Sequence, residues 1–413
     1  MKTIFIILDG IGDRPCEQLK GKTPLEAAET PNLNWLTKQG KLGSMIPKKE
    51  DFAPESDDAL ASIFGYDELY AIRGQLETIG AGIKLQEGDL ALRTNFATVN
   101  NIREGKILDR RAGRTLTTKE ATILAKTINS KVKLPVKFLF RNTIQHRGVL
   151  VFRGGMSDNI TNTDPAYRIK GSYAVHDTLH YSQSLDEDEN SEYSANILNQ
   201  FIEKSYSVLA YHPINLQRIK KKLPPANIIL TRDADSSLPP IQKLEGKWAA
   251  IVYMPLEIGL SKLLGMDIFS FKYPEMKEAN VYRNLYDGLN TAIKFSKKIL
   301  QNQLRNYDYF YIHFKETDVP GHDNLPEEKK KMIEILDRDF FASLRLLAAK
   351  EKIKIVVTAD HAVPCSLKSH SSDAVPVLIY GEGADSTEHF SEKEALKGSI
   401  GKIYGKDLMK LIK

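Results

Sequence analysis

An adjacent Asp360-His361 pair follows the apolar segment Ile353–Thr358, and a further imidazole, His370, comes shortly afterwards. The segment predicts a buried strand, and open α/β sheets hold ligands outside the carboxyl ends of their strands. Mixed carboxylate and imidazole ligands suit Zn or Mn, whereas an all-oxygen site would suit Mg or Ca. Such a pair at a strand end is more often a turn and a capped loop than a pair of metal ligands, so other segments must support this interpretation.

Two more apolar segments, 3–8 and 308–314, also predict buried parallel strands that end in polar groups. The polar groups that follow them are Asp9, Lys315, Asp318 and His322. Asp318 and His322 are four residues apart, so both can reach one ion if the segment between them turns helically. Taken alone, Asp9 is better explained as a turn residue beside Gly10.

A candidate nucleophile, Ser56, lies in the acidic stretch Glu55-Ser56-Asp57-Asp58, ahead of a predicted helix. A serine in this position is usually only a helix N-cap. In the functional alternative, the helix N-terminus and a nearby metal favour the serine alkoxide and bind phosphate oxygens while it attacks.

Because the carboxyl ends of parallel strands lie on one edge of a sheet, these groups are expected to converge. They form two sets, Asp9, Ser56, Asp360 and His361 in one and Asp318, His322 and His370 in the other. Two metals held by carboxylates and imidazoles, with a serine between them, predict phosphoryl or sulfuryl transfer. The alternative is that every one of these residues is a local cap or turn.

The middle of the chain differs from both ends and predicts a separate α+β module inserted into the first domain. We expect a core formed by 1–72 and 241–413 and an inserted domain at 73–240. The module carries clustered arginines on turns, namely Arg110, Arg111 and Arg114. Such arginines are either solvated or positioned to recognise carboxylate and phosphate groups through their guanidinium forks.

Length and composition favour a soluble globular protein of two or three domains, with 413 residues, 42% hydrophobic and 27% charged. The net charge of +5 is scattered, and no basic stripe with interleaved aromatic residues predicts nucleic-acid binding. No apolar run predicts a membrane span or a leader, and two cysteines are too few for a disulfide framework. We therefore expect a cytoplasmic protein with a small anionic substrate and neither nucleic-acid nor membrane partners. The sequence does not determine the oligomeric state.

Several motifs together identify a resemblance. The first group is LDG at 8–10, ESD at 55–57, HFKETDVPGHD at 313–323, TADH at 358–361 and KSH at 368–370. The second is GKTPLEAAETPNL at 21–33, NFATV at 95–99, DRRAGR at 109–114, HRGVLVFRG at 146–154, TDP at 163–165 and an HPIN…PAN stretch within 212–227. The first group resembles the alkaline phosphatase superfamily. Both together resemble the archaeal-type 2,3-bisphosphoglycerate-independent phosphoglycerate mutases over nearly the whole chain.

The resemblance implies an α/β fold, with a mostly parallel, alkaline-phosphatase-like sheet flanked by helices and a smaller inserted α+β domain. It implies two divalent ions, Mn, Zn, Co or Mg, and no bisphosphoglycerate. The two ligand sets would each hold one ion, while Ser56 takes the phosphoryl group from one hydroxyl of phosphoglycerate and returns it to the other. Lys315 would neutralise phosphate charge. The residues implied to grip the glycerate are Arg93, Arg110, Arg114, His146, Arg147 and Asp164.

The chain also departs from the pattern of this family. Asp58 replaces a usual threonine, Gln75 a usual proline and Ala166 a usual histidine, and Tyr273-Pro274-Glu275-Met276 replaces a Pro-Gly-Ala-Thr-Gly region. Two other functions therefore stay open. One is a related metal-dependent phosphomonoesterase, phosphonate hydrolase or mutase for another small phosphorylated metabolite. The other, a non-catalytic binding module, is disfavoured because every proposed ligand and Ser56 is present.

Overall fold

The structure is a computed structural model that describes residues 1–66, 73–167, 178–237, 241–277 and 279–413. The strands in these ranges are β1 (Lys2–Leu8), β2 (Gly40–Ile46), β3 (Leu90–Val99), β4 (Ile107–Asp109), β5 (Lys137–Asn142), β6 (Arg147–Arg153), β7 (Ile228–Asp235), β8 (Trp248–Ile251), β9 (Asp267–Phe269), β10 (Tyr309–Phe314), β11 (Ile353–Thr358), β12 (Val375–Tyr380) and β13 (Gly401–Tyr404).

The α-helices in the same ranges are α1 (Pro24–Ala27), α2 (Pro31–Lys38), α3 (Ser56–Ile63), α4 (Arg73–Gly80), α5 (Thr118–Lys131), α6 (Glu189–Leu209), α7 (Pro213–Lys220), α8 (Pro255–Leu263), α9 (Val281–Gln303), α10 (Asp318–His322), α11 (Pro326–Leu336), α12 (Ala342–Ala348), α13 (Glu392–Ala395) and α14 (Gly405–Ile412). None of the helices within the described ranges is long and apolar enough to cross a bilayer.

The larger sheet has eight strands in the order β13-β2-β12-β11-β1-β10-β8-β9. The five strands from β11 to β9 run parallel, whereas β12 pairs antiparallel with both β11 and β2. Strand β1 lies between β10 and β11, with Ile6 opposite both Ile312 and Val357. These strands are buried on both faces, as their continuous apolar sequences predict.

The smaller sheet is antiparallel and centred on β3, which pairs with β4, β6 and β7, while β5 pairs with β6. It has its own hydrophobic core. In this core the ring centroids of Phe96 and Phe140 lie 5.5 Å apart, and those of Phe140 and Phe201 lie 5.9 Å apart. The expected fold class, a mostly parallel α/β sheet with a smaller α+β unit inserted in the chain, is confirmed.

Helix α4 connects the two parts of the molecule. Leu76 belongs to the core of the larger sheet, and the backbone of this helix packs directly on α8. A Cβ atom on Gly259 would lie 1.9 Å from the carbonyl oxygen of Leu76, and one on Gly80 would lie 1.8 Å from that of Pro255, so both positions require glycine. The helix also contacts β3. The predicted boundaries at 72/73 and 240/241 adjoin stretches outside the described residues, and they stay a prediction.

Candidate metal and phosphoryl-transfer site

Three neighbouring strands deliver polar groups to one edge of the larger sheet. Because β1, β10 and β11 are parallel neighbours, Asp9, the segment that begins at Lys315, and Asp360 all leave the sheet at its carboxyl edge. Gly10 makes the approach possible with φ of +59°, and its N–H donates to Asp360 Oδ1 at 3.2 Å. A Cβ atom there would lie 3.0 Å from Asp318 Oδ1, so a side chain would press on this carboxylate.

The first predicted set of ligands, Asp9, Ser56, Asp360 and His361, comes together around the imidazole of His361. Its Nε2 lies 3.4 Å from Asp9 Oδ1, 3.3 Å from Asp360 Oδ2 and 3.1 Å from Ser56 Oγ. All four residues are buried. Residues far apart in the sequence therefore present oxygen and nitrogen donors to one point.

The second predicted set, Asp318, His322 and His370, lies beside the first. Helix α10 turns the aspartate and the histidine to the same side, so His322 Nε2 lies 3.4 Å from Asp318 Oδ1, and His370 Nε2 lies 3.9 Å from the same oxygen. The rings of His361 and His370 stack with centroids 3.8 Å apart. The two sets are thus adjacent halves of one cluster.

Backbone carbonyl groups orient two of these imidazoles. His322 Nδ1 lies 3.0 Å from the carbonyl oxygen of Lys368, and His370 Nδ1 lies 2.7 Å from that of Pro54. A proton on Nδ1 donates to each carbonyl and leaves the lone pair of Nε2 directed at Asp318. Imidazoles that bind metals in proteins are commonly held in this way.

The donor set fits divalent metal ions. Asp9 Oδ1, Asp318 Oδ1 and Asp360 Oδ2 are buried without a hydrogen bond from the described residues, whereas Asp9 Oδ2 pairs with the ammonium of Lys315. Burial lowers the pKa of His361 to about 3, so its imidazole is neutral and can coordinate. Buried acceptors without donors are costly, and a cation at this position offsets that cost.

Ser56 is not the N-cap of its helix. Glu55 occupies the N-cap position of α3 without a side-chain capping hydrogen bond, and Ser56 is the first helical residue. Its Oγ lies beside His361 Nε2. The serine therefore stands at a helix N-terminus and at the ligand cluster, which are the two surroundings expected to favour its alkoxide.

A pocket lies between this edge and the inserted module. Its walls include Ser56, Lys315, Asp318, His322 and His370 on the sheet side and, on the other, Arg73, Arg93, Arg110, Arg111, Arg114, His146, Arg147 and Arg232. Burial, with Arg232 and Arg73 close by, lowers the pKa of Arg93 to about 9. This concentration of buried and half-buried cations favours an anionic ligand.

Of the residues predicted to grip the substrate, five line the pocket and Asp164 lies behind it. Asp164 accepts two hydrogen bonds from Arg110, at 2.9 and 2.7 Å, and fixes the plane of that guanidinium. Arg114 Nη1 lies 2.8 Å from both oxygens of Asp323, one residue after His322, and so joins the inserted module to the sheet edge. We therefore place Asp164 as a residue that orients Arg110.

Sequence reasoning missed several groups at this site. His313 Nε2 lies 3.4 Å from Asp9 Oδ2, and Glu257 Oε1 lies 2.8 Å from Lys315 Nζ, which also pairs with Asp9. Arg232, on β7, joins the cationic wall of the pocket. His313 begins the motif HFKETDVPGHD and lies inside an apolar strand, a combination that indicates a functional residue. Glu257 and Arg232 carry no local signal, because only strand pairing brings them here.

A mostly parallel sheet that brings carboxylates, imidazoles and a helix-terminal serine to one edge, opposite an arginine-lined wall, defines a class of enzymes that handle phosphate esters with divalent metals. The family model for 2,3-bisphosphoglycerate-independent phosphoglycerate mutase matches residues 37–215. A protein of that name from Thermococcus kodakarensis is 41% identical, with 100% of this chain and 96% of the relative covered. One from Pyrococcus furiosus is 40% identical with the same coverage. The chain belongs to this family.

Solved structures agree with this assignment. A protein from Pyrococcus horikoshii matches with a TM-score of 0.75 and 32% identity, over 100% of this chain and 96% of the other. A cofactor-independent phosphoglycerate mutase from Thermoplasma acidophilum matches with a TM-score of 0.57 and 30% identity, over 100% of this chain and 98% of the other. Together with the donor set, membership of the family implies that the protein uses divalent metal ions.

Three of the departures from the family pattern lie close to the site. Tyr273 lines the pocket itself. Ala166 donates its N–H to Asp164 Oδ1 at 3.2 Å, and Asp58 is a half-buried residue in the first turn of α3. Gln75 is buried in α4. None of the four belongs to the two predicted ligand sets.

Proposed function

We propose that this chain interconverts 3-phosphoglycerate and 2-phosphoglycerate without bisphosphoglycerate, through a phosphoserine formed on Ser56. The observation that carries the proposal is the position of Ser56 Oγ, 3.1 Å from His361 Nε2 and on the wall of the arginine-lined pocket. A serine with metal-binding groups on one side and an anion-binding wall on the other is placed for phosphoryl transfer.

Two divalent ions would fit the site, where Asp9, Ser56, Asp360 and His361 would hold one and Asp318, His322 and His370 the other. Bound there, they polarise phosphate oxygens and favour the serine alkoxide. Mn, Zn, Co and Mg are all candidates. The His322 and His370 rings are oriented by the carbonyl groups behind them, so their ring directions are fixed before any ion binds.

In the forward half-reaction, Ser56 Oγ forms a bond to phosphorus while the bond from phosphorus to one glycerate oxygen breaks. The proton that Ser56 Oγ loses balances the proton that this oxygen takes up as it becomes a hydroxyl. Lys315 lies at the pocket and offsets phosphate charge. Glycerate then turns within the pocket, and the oxygen of its other hydroxyl bonds to phosphorus as the bond from phosphorus to Ser56 Oγ breaks. The proton lost by that hydroxyl balances the proton that Ser56 Oγ takes up, and the phosphoryl group ends on the new position.

The arginine wall retains glycerate between the two halves. Arg110, oriented by Asp164, and Arg147 offer guanidinium donors to the carboxylate, and Arg93 and His146 line the same wall. Arg114, paired with Asp323, keeps the inserted module against the sheet edge. Exclusion of water matters because water attack on the phosphoserine would make the protein a phosphatase. The substrate is thus a small phosphorylated anion, and we place the reaction in the cytoplasm.

The test is an enolase-coupled assay of the purified protein with 3-phosphoglycerate and no bisphosphoglycerate, with Mn and then after chelation. We expect turnover with metal, loss of turnover after chelation and loss in Ser56→Ala. Ser62→Ala, a change of the same kind in the same helix, serves as the matched control and should retain turnover.

Two results contradict the proposal. Full activity of metal-free protein excludes metal chemistry. Hydrolysis of a generic phosphate ester that depends on metal and Ser56, without turnover of 3-phosphoglycerate, retains the phosphoryl-transfer chemistry but replaces the mutase with a related phosphomonoesterase.

A further inference from the structure

Glu257 is a buried acidic residue at the site with no role in the two proposed half-reactions. It is the third residue of α8, whose preceding strand β8 pairs in parallel with β10. The first turn of α8 therefore lies at the same sheet edge as Lys315. Glu257 is only 1% exposed, and a glutamate buried to this extent usually has a charged partner.

The partner of Glu257 is the ammonium group of Lys315. Glu257 Oε1 lies 2.8 Å from Lys315 Nζ, and the same ammonium pairs with Asp9 Oδ2 on the other side. Behind it, the N–H of Lys315 donates to Tyr253 Oη at 3.0 Å, which fixes the backbone from which the lysine extends. The ammonium is thus held between two buried carboxylates, one of which belongs to the predicted ligand set.

A second interpretation of this geometry is a further metal position. Asp9, Glu257 and His313 each offer one donor atom, and the three atoms lie within 4.8 Å of one another. The ammonium of Lys315 already contacts two of these three residues. One positive charge between Asp9 and Glu257 satisfies both carboxylates, so the geometry favours the ion pair over an additional ion.

We infer that Glu257 is a positioning residue, which holds the ammonium of Lys315 beside Asp9 so that it faces the phosphoryl group transferred to Ser56. The inference rests on the proposed function. A lysine has a flexible four-carbon stem, and its charge aids transfer only where the stem is held in place. A buried carboxylate on a rigid helix supplies that restraint before the substrate arrives.

The experiment is a double-mutant cycle with Glu257→Gln, Lys315→Met and the double variant, in which methionine keeps an apolar stem. For Glu257→Gln we expect kcat to fall about tenfold to a hundredfold, because a misplaced group is costly, with little change in KM. In the Lys315→Met background the same substitution should leave kcat unchanged, because Glu257 then has no ammonium to hold.

A matched control and a second measurement complete the test. Glu392→Gln neutralises another first-turn glutamate, which contacts Thr23 and Asp13, and it should retain wild-type kcat. Elemental analysis of the purified proteins should give the same number of bound ions in Glu257→Gln as in wild type.

Three results would overturn the inference. Equal losses of kcat in both backgrounds would show that Glu257 acts independently of Lys315. The loss of one bound ion in Glu257→Gln would make Glu257 a metal ligand. A crystal structure of Glu257→Gln with the lysine ammonium still on Asp9 would show that Glu257 does not place it.

The same cycle is also run on the hydrolysis of p-nitrophenyl phosphate. If wild-type protein hydrolyses this ester but does not interconvert the phosphoglycerates, the mutase proposal fails while the cycle still tests Glu257. The crystal structure and the metal count give a result for Glu257 even without turnover.

Discussion

The two walls of the pocket handle charge in opposite ways. On the sheet edge, Asp9, Asp318 and Asp360 keep carboxylate oxygens that no described donor reaches. On the inserted module, Arg110 and Arg114 are each committed to a carboxylate, through Asp164 and Asp323. Acceptors left without donors need a cation, whereas arginines that are already paired are fixed in direction and present oriented donors. The sheet edge is therefore suited to metal ions and the arginine wall to selection of the substrate.

The contrast leads to a separation of effects between the two walls. Substitutions on the sheet edge should remove bound metal and lower the rate of phosphoryl transfer. Substitutions on the arginine wall should weaken substrate binding and leave the metal in place. A variant of one wall with the effect expected for the other would show that the two walls do not act separately.

The largest effect is expected for Asp360→Asn on the sheet edge. Loss of one charged donor should remove at least one bound ion and lower kcat by about a thousandfold, because metal stabilisation of the transition state amounts to several kcal/mol. Elemental analysis and the coupled assay measure the two quantities. Asp308→Asn is the matched control and should keep its metal and its kcat. Asp308 immediately precedes the first residue of β10, at the end of the strand away from the site, and forms an exposed ion pair with Lys2. Normal metal content in Asp360→Asn would remove that residue from the ligand set.

A smaller effect is expected for Arg110→Lys on the arginine wall. Lysine cannot reproduce the two hydrogen bonds to Asp164, so the KM for 3-phosphoglycerate should rise about tenfold while metal content stays constant. Arg103→Lys, a change of the same type at an exposed turn, should match wild type. If Arg110→Lys loses metal instead, the two walls are not independent.

The smallest effect is expected on the pH dependence of stability, through His146 and the arginines around it. Burial, with Arg147 and Arg111 nearby, holds the pKa of His146 well below its usual range. The unfolded chain therefore binds more protons than the folded one below about pH 6.5, and stability is lost as pH falls through that range. The free energy of unfolding of the wild type falls between pH 7 and pH 5, and in His146→Gln this fall should be about 1 to 2 kcal/mol smaller.

Denaturant unfolding at the two pH values measures the difference, because linear extrapolation to zero denaturant gives the free energy of unfolding in water. His389→Gln, a change of the same type at an exposed histidine, should keep the wild-type pH dependence. An unchanged pH dependence in His146→Gln would show that the arginine wall accommodates a protonated imidazole.

How far the sequence could predict the site depends on how each residue reaches it. Asp9 and Asp360 directly follow apolar segments, so their meeting follows from the rule that parallel strands share a carboxyl edge. Glu257 and Arg232 lie in segments whose own residues show no pattern of chemistry. They reach the pocket because β8 pairs with β10 and β7 pairs with β3, and pairing between distant strands is not visible in local periodicity.

By itself, the sequence determined the buried strands β1, β10 and β11, the kinds of donor that follow them and the family whose motifs they carry. It left open whether Ser56 was a cap, which carboxylate orients which arginine, and what holds Lys315 in place. Only the tertiary structure decided these points, because each depends on a contact between residues that are distant in the chain. Local patterns record which face of a segment is buried, while the partner across that face is chosen by the packing of the whole fold.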